Sequence, residues 1–195
     1  MDVLDIPAGA GAIIFDLDGT LLDSMPLHYE AYNDCLKKYG VHYPYELFIS
    51  RGGIPTRDTF LMIARENAIV NFDVELAIRS KREFVDSRLH LIKPIDTTFN
   101  IMKKYHGVLP MSIGTGSNRQ TVNEMYRLFE LGTYIPISVT ATDVSHFKPH
   151  PETFLRCAEL MKVKPESCIV FEDGLPGIEA AKSAGMQVID VKPYI

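Results

Sequence analysis

Five short apolar runs limit what this chain can fold into: "AIIFD" at 12–16, "VLPMSIG" at 108–114, "PISVTA" at 136–141, "SCIVFED" at 167–173 and "MQVIDV" at 186–191. Each is too short for a core helix and carries β-branched or aromatic residues, which predicts buried strands. Helix-like stretches at about 119–130, 151–162 and 175–184 separate the last four runs. Strand and helix in alternation imply βαβ units, a parallel sheet and right-handed crossovers. The fold class is therefore α/β, a doubly wound Rossmann-like parallel sheet.

The first run stands apart from the others, and helical periodicity fills the gap. Between 26 and 39, Leu27, Tyr32, Cys35, Leu36 and Tyr39 fall largely on one face, with Gly40 as a stop. Amphipathic segments follow at about 57–68 and 74–91, after the Gly/Pro-bearing loop "RGGIPTRD". This pattern predicts an all-helical domain at 24–93 inserted into a discontinuous core made of 1–23 and 94–195. The 195 residues, 46% apolar, suffice for two such lobes.

A net charge of -5 argues against nucleic acid as a partner, because phosphate binding on that scale needs a basic face. Cys35, Cys157 and Cys168 have no CxxC spacing, and they read as reduced residues of a cytoplasmic protein. The stretch "MDVLDIPAGAG" is acidic, and no apolar run approaches the roughly 20 residues of a membrane span. Neither secretion nor a membrane partner is expected.

Open α/β sheets bind ligands outside the carboxyl ends of their strands. Asp16, Asp18 and Gly19 follow the first strand, "GTGSN" at 114–118 the second, and "EDG" at 172–174 the fourth, while "HFKPHP" at 146–151 leads into the helix after the third. Carboxylates meeting at one edge repel, so they take up protons or hold a cation; a hard divalent ion such as Mg2+ suits oxygen ligands beside a phosphate. Alternation along an extended backbone points Asp16 and Asp18 the same way, one as nucleophile or ligand and the other as general acid and base. The "GTGSN" turn offers amides and hydroxyls at a helix start, and Lys148 adds a positive charge; together they make a clamp for a transferring phosphoryl group.

"FDLDGTLLDS", "IGTGSN", "HFKPHPETF" and "VFEDGLPGIEAAKSAGM", in that order, resemble the four motifs of the haloacid dehalogenase superfamily, in the branch of sugar phosphatases that includes β-phosphoglucomutase. The resemblance spans nearly the whole chain. It implies that Asp16 accepts the phosphoryl group and that Asp18 protonates the leaving alcohol and then activates water. Thr115 and Lys148 would hold the phosphate, assisted by the Gly116 amide, with Ser117 and Asn118 in the same substrate-binding turn. Mg2+ would be bound by the Asp16 carboxylate, the Asp18 backbone carbonyl and Asp173, with Glu172 as a direct or water-bridged ligand. The inserted helices would form a cap that excludes water.

His28 falls at the family's substrate-facing position on the first cap helix, whereas Lys81 and Arg82 are read as solvated. The acid two residues after the nucleophile favours phosphate esters over carbon–halogen bonds. β-Phosphoglucomutase grips its spectator phosphate with an arginine in a cap loop "GVSRED"; here the loop reads "GIPTRD", with Thr56 at that position and Arg57 one residue on. The resemblance therefore favours a Mg2+-dependent phosphatase acting on small sugar phosphates such as fructose 1-phosphate, as a monomer or weak dimer. The alternatives are a mutase and a catalytically silent relative that binds phosphate.

Overall fold

The computed structural model describes residues 5–52 and 54–195. Residues 1–4 of the acidic N-terminal stretch and Gly53, the first residue of "GIPTRD", lie outside the described residues. The chain divides into two compact units, one built from the chain up to Asp23 together with Lys93–Ile195, the other from Ser24–Ile92.

The first unit contains five strands: β1 (Ala12–Phe15), β2 (Met111–Gly114), β3 (Ile137–Val139), β4 (Cys168–Glu172) and β5 (Gln187–Asp190). They form one sheet in the order β3-β2-β1-β4-β5, and every pairing is parallel. β1 lies in the middle, with Ile13 opposite both Met111 and Ile169. The sheet therefore buries its most apolar strand on all sides. Ala12, Ile13, Ile14 and Phe15 each have no exposed surface.

The remaining elements of this unit are α5 (Asp96–Tyr105), α6 (Arg119–Leu128), the short α7 (Leu131–Tyr134), α8 (Glu152–Met161) and α9 (Leu175–Ser183). Ala12, Ile14 and Val170 pack with Phe154, Cys157 and Ala158 of α8 and Ala180 and Ala181 of α9. Ile13, Phe15 and Phe171, which point to the opposite face, are as fully covered. Phe15 and Phe171 stack there at 5.1 Å. Burial on both faces explains why the strands read as continuous apolar runs rather than as alternation.

The second unit is helical, with α1 (Met25–Lys37), α2 (Tyr45–Ser50), α3 (Thr56–Glu66) and α4 (Val74–Asp86). Its own core joins Tyr32, Cys35 and Leu36 of α1 to Tyr43, Phe48, Phe60, Ile63 and Ala77. Asp73 caps α4 by accepting from the Leu76 amide at 2.9 Å. The ends of the first unit's two segments are tied by backbone hydrogen bonds, Asp23 N to Lys93 O and Ile95 N to Leu21 O, both 2.9 Å.

Several elements differ from the periodicity. The helix expected over 74–91 stops at Asp86, where Ser87 caps it through its amide, and a 3-10 turn covers Leu89–Leu91. The strand expected from 108 begins at Met111, because Val108 and Leu109 close a turn onto Tyr105 O. α2 and α5 are unanticipated. In α5 a buried position falls to Thr98, whose hydroxyl donates to Thr20 O and Ile95 O, so a polar residue interrupts the apolar stripe. Lys81, expected in solvent, is only 9% exposed. Its Nζ lies 4.6 Å from the centroid of the Tyr32 ring, so a cation–π contact replaces part of the hydration.

Ile14 faces the α8–α9 core with no exposed surface. Ile14→Ala is expected to lower stability by about 2–5 kcal/mol, read as a lower midpoint in urea unfolding.

Candidate active site

The ends of β1 and β4 and the segment before α8 contribute to one charge cluster in the first unit, while the turn after β2 meets Asp18. β1 delivers Asp16 to the carboxyl edge of the sheet, where its amide donates to Phe171 O at 2.9 Å. β4, hydrogen-bonded alongside, delivers Glu172, and the chain continues into Asp173. Lys148 arrives from the segment before α8 and donates to Asp16 Oδ1 at 2.6 Å and to Glu172 Oε2 at 2.7 Å. Asp16, Glu172 and Lys148 are all below a tenth exposed, so this is a desolvated three-membered charge cluster. Below the ammonium the Phe154 ring lies 4.6 Å away.

Small residues make this packing possible. Gly19 has φ +84°, and a side chain there would begin 2.6 Å from Asp173 Oδ2. Gly177 in α9 leaves room for Glu172, whose carboxylate would lie 2.1 Å from an added Cβ. The Gly174 amide donates to Glu172 Oε1 at 3.0 Å, so both oxygens of Glu172 are held, one by this amide and one by Lys148. Thr20 donates to Asp173 Oδ1 at 3.0 Å.

The charges do not balance within this cluster. Burial, then Glu172, pushes Asp16 up to about 8, against the pull of Lys148. Burial, then Asp16, pushes Asp173 up to about 6. Burial likewise raises Glu172. Burial works to lower Lys148, but the Asp16 and Glu172 carboxylates outweigh it and hold the amine charged, above the usual lysine range. One ammonium thus faces three acids, and the excess negative charge is relieved by protons or by a cation. Oxygen atoms of Asp16, Glu172 and Asp173 lie within 4.8 Å of one another, an all-carboxylate donor set suited to a hard divalent ion.

Asp18 is turned to a different task. Its Oδ2 accepts from Ser117 Oγ at 2.6 Å and lies 3.5 Å from Thr115 Oγ1, while Thr115 Oγ1 accepts from the Ser117 amide at 3.0 Å. The carboxylate groups that converge for a metal are those of Asp16, Glu172 and Asp173. Gly116, between Thr115 and Ser117, is exposed, and a methyl group added there would meet nothing within 4 Å. Asn118 caps α6: its Oδ1 accepts from Thr121 N at 3.1 Å and its amide donates to Thr121 Oγ1 at 3.0 Å. Its side chain thereby shapes the turn.

His28 and Thr56 belong to the helical unit. His28 Nδ1 is 3.3 Å from Lys81 Nζ, and Thr56 opens α3. Arg57 is more than half exposed and forms an ion pair with Glu75. Arg82 is exposed.

Sequence reasoning missed Thr20, Gly177, Phe154 and Arg119. Arg119 opens α6, donates to Ser138 Oγ at 2.6 Å and Ser138 O at 2.9 Å and pairs with Asp143, linking the start of α6 to the end of β3. A glycine in the first turn of a helix, three residues after the last residue of the "EDG" turn, was a readable signal for Gly177. Nothing in the pattern pointed to Arg119.

Comparison with known proteins shows the family. The family profile described as haloacid dehalogenase-like hydrolase matches residues 13–191. The chain is 38% identical to the fructose-1-phosphate phosphatase YqaB of Escherichia coli K12, over 92% of this chain and 95% of that enzyme. It is 34% identical to a phosphorylated carbohydrates phosphatase of Thermotoga maritima, over 91% of this chain and 83% of that one. In fold it is similar to the β-phosphoglucomutase of Clostridium difficile, with a TM-score of 0.80 at 22% identity over 93% of this chain and 84% of that one. The chain belongs to the haloacid dehalogenase-like hydrolase family.

Proposed function

We propose that this protein is a Mg2+-dependent phosphatase that hydrolyses small sugar phosphates, fructose 1-phosphate among them, through a phosphoryl group carried on Asp16. The observation that carries the reading is the split between two carboxylates on one turn: Asp16 held by Lys148 at 2.6 Å, and Asp18 held by Ser117 at 2.6 Å. Lys148 fixes one oxygen of Asp16, leaving the other to attack phosphorus. As that bond forms, the bond from phosphorus to the sugar oxygen breaks, and Asp18 gives its proton to the departing alcohol. Asp18, now ionised, takes a proton from water; the resulting hydroxide attacks phosphorus, the bond to Asp16 breaks and inorganic phosphate leaves. Thr115, the Gly116 amide and Lys148 offset the charge on the phosphoryl oxygens. Asp16, Asp173, the Asp18 carbonyl and Glu172, directly or through water, would hold Mg2+, which when bound neutralises excess negative charge at the reacting group.

The names of the relatives, a fructose-1-phosphate phosphatase and a phosphorylated carbohydrates phosphatase, support a sugar phosphate as substrate. The divided chain supports a helical insertion at 24–93; its role as the cap, with His28 and Thr56 in contact with the sugar, belongs to the same proposal. A mutase needs a cation for the phosphate it does not transfer. Arg57, the residue a one-position shift would recruit, is exposed and ion-paired with Glu75, which favours hydrolysis.

Phosphate release from fructose 1-phosphate with Mg2+ tests the reading. Asp16→Asn is expected to lower kcat on the order of 10^4-fold or more while far-UV circular dichroism is unchanged. Absence of turnover on every phosphomonoester by the native protein would refute it, and conversion of β-glucose 1-phosphate to glucose 6-phosphate without free phosphate would mark a mutase.

Gly177→Ala is expected to push Glu172 off Lys148, costing about 1–3 kcal/mol of stability and lowering kcat about tenfold, as measured by thermal unfolding and steady-state kinetics.

Carboxyls raised in the folded state take up protons on folding, so metal-free stability falls as pH rises from the ordinary value of 3.8 through about 6 for Asp173 and about 8 for Asp16. Added Mg2+ removes that loss. Its effect on Tm is expected to be larger at about pH 8 than at about pH 5, and smaller in Asp173→Asn.

A further inference from the structure

Outside the acid cluster, a second set of metal-ligating side chains converges on the segment that carries Lys148. His146, His150 and Glu152 each place a ligand atom within 4.8 Å of the others. The two imidazole rings lie 4.5 Å apart, tilted by 32°. His146 Nδ1 is 2.8 Å from Glu152 Oε2, and the Glu152 amide is 3.3 Å from His150 Nδ1.

Backbone amides also close the loop onto α8: Ser145 N donates to Glu152 Oε1 at 2.8 Å and His146 N to Glu152 Oε2 at 2.9 Å. The His146 ring shares in orienting the carboxylate, its Nδ1 lying 2.8 Å from Glu152 Oε2. Together these contacts hold the Glu152 carboxyl below its usual range, the Ser145 amide first and His146 after it, so the group is an anion at neutral pH. Both histidines are exposed, and a cation reaching them would not have to cross protein. Two rings and one carboxylate thus converge on a surface loop with open access for a cation.

We propose that His146, His150 and Glu152 form a binding site for an imidazole-preferring divalent cation of the Zn2+ and Ni2+ class, separate from the acid cluster. The donor set decides the ion. Two nitrogens and one oxygen favour borderline metals over Mg2+, which takes oxygen ligands and keeps its waters. Three protein ligands leave a position for water, as in an open zinc site. On binding, the metal takes the place of the proton between His146 Nδ1 and Glu152. Residues 146, 150 and 152 bracket Lys148, so an ion held there ties the two ends of the segment that aims the ammonium at Asp16. The proposal is independent of the reaction assigned to the acid cluster.

The experiment is a calorimetric titration of the full-length, chelator-stripped protein with Ni2+, with Mg2+ in large excess to occupy the acid cluster. One equivalent of Ni2+ is expected to bind. His146→Ala and His150→Ala should each weaken it about tenfold or more, removal of a ligand costing at least what removal of a ligand's supporting partner does. The double variant should bind none, and Asp173→Asn should bind as the native protein does. Co2+ in place of Ni2+ should give a visible absorption band that the double variant lacks. Because both histidines are exposed, thermal unfolding of the metal-free variants should match the native protein and show that lost binding is not lost folding. Binding that survives in the double variant, that Mg2+ displaces, or that disappears in Asp173→Asn would overturn the proposal.

Discussion

Two carboxylates and one ammonium share a space almost closed to water, with the half-buried Asp173 beside them, and much of the first unit is arranged to tolerate them. Lys148 bridges Asp16 and Glu172, the one at the end of β1 and the other at the end of β4. Replacing a buried ion pair by apolar residues is often neutral or stabilising, so stability alone does not account for such a cluster. The chain nevertheless yields volume to it at Gly19 and Gly177 and supplies hydrogen bonds from Thr20 and the Gly174 amide. The sheet supplies what a loop cannot, since parallel pairing fixes Phe15 beside Phe171 and thereby fixes the spacing of the acids that follow.

The helical unit answers a different demand. Tyr32, Tyr43, Phe48 and Phe60 pack on one another with ring centroids about 5–6 Å apart, which gives the unit an aromatic core of its own. Lys81 and His28 are built onto this aromatic floor.

Much of this was legible in the residues, and the reasons are specific. Strands buried on both faces leave unbroken apolar runs, so β1 and β4 could be read directly, and with them the positions of Asp16, Glu172 and Asp173. Lys148 could be placed because a Pro-flanked segment preceded an amphipathic helix. α5 was hidden because Thr98 is buried through hydrogen bonds, which hydropathy does not register. Lys81 was misread for a related reason: a lysine over an aromatic ring is buried by a contact between α4 and α1, distant in sequence. The cap role of Asn118 and the brace at Arg119 likewise depend on partners that only the folded chain brings near.

The central place of β1 has a consequence for how the molecule is made. Its neighbours β2 and β4 begin at Met111 and Cys168, so a nascent chain emerging from the ribosome exposes "AIIF" with no strand to pair with until the whole helical unit has been synthesised. Helices rich in local contacts can form early, whereas the sheet must wait for distant segments. The strand that later carries Asp16 to the sheet edge is thus open to wrong partners during synthesis, and the moment at which it is sealed is set by the far end of the chain.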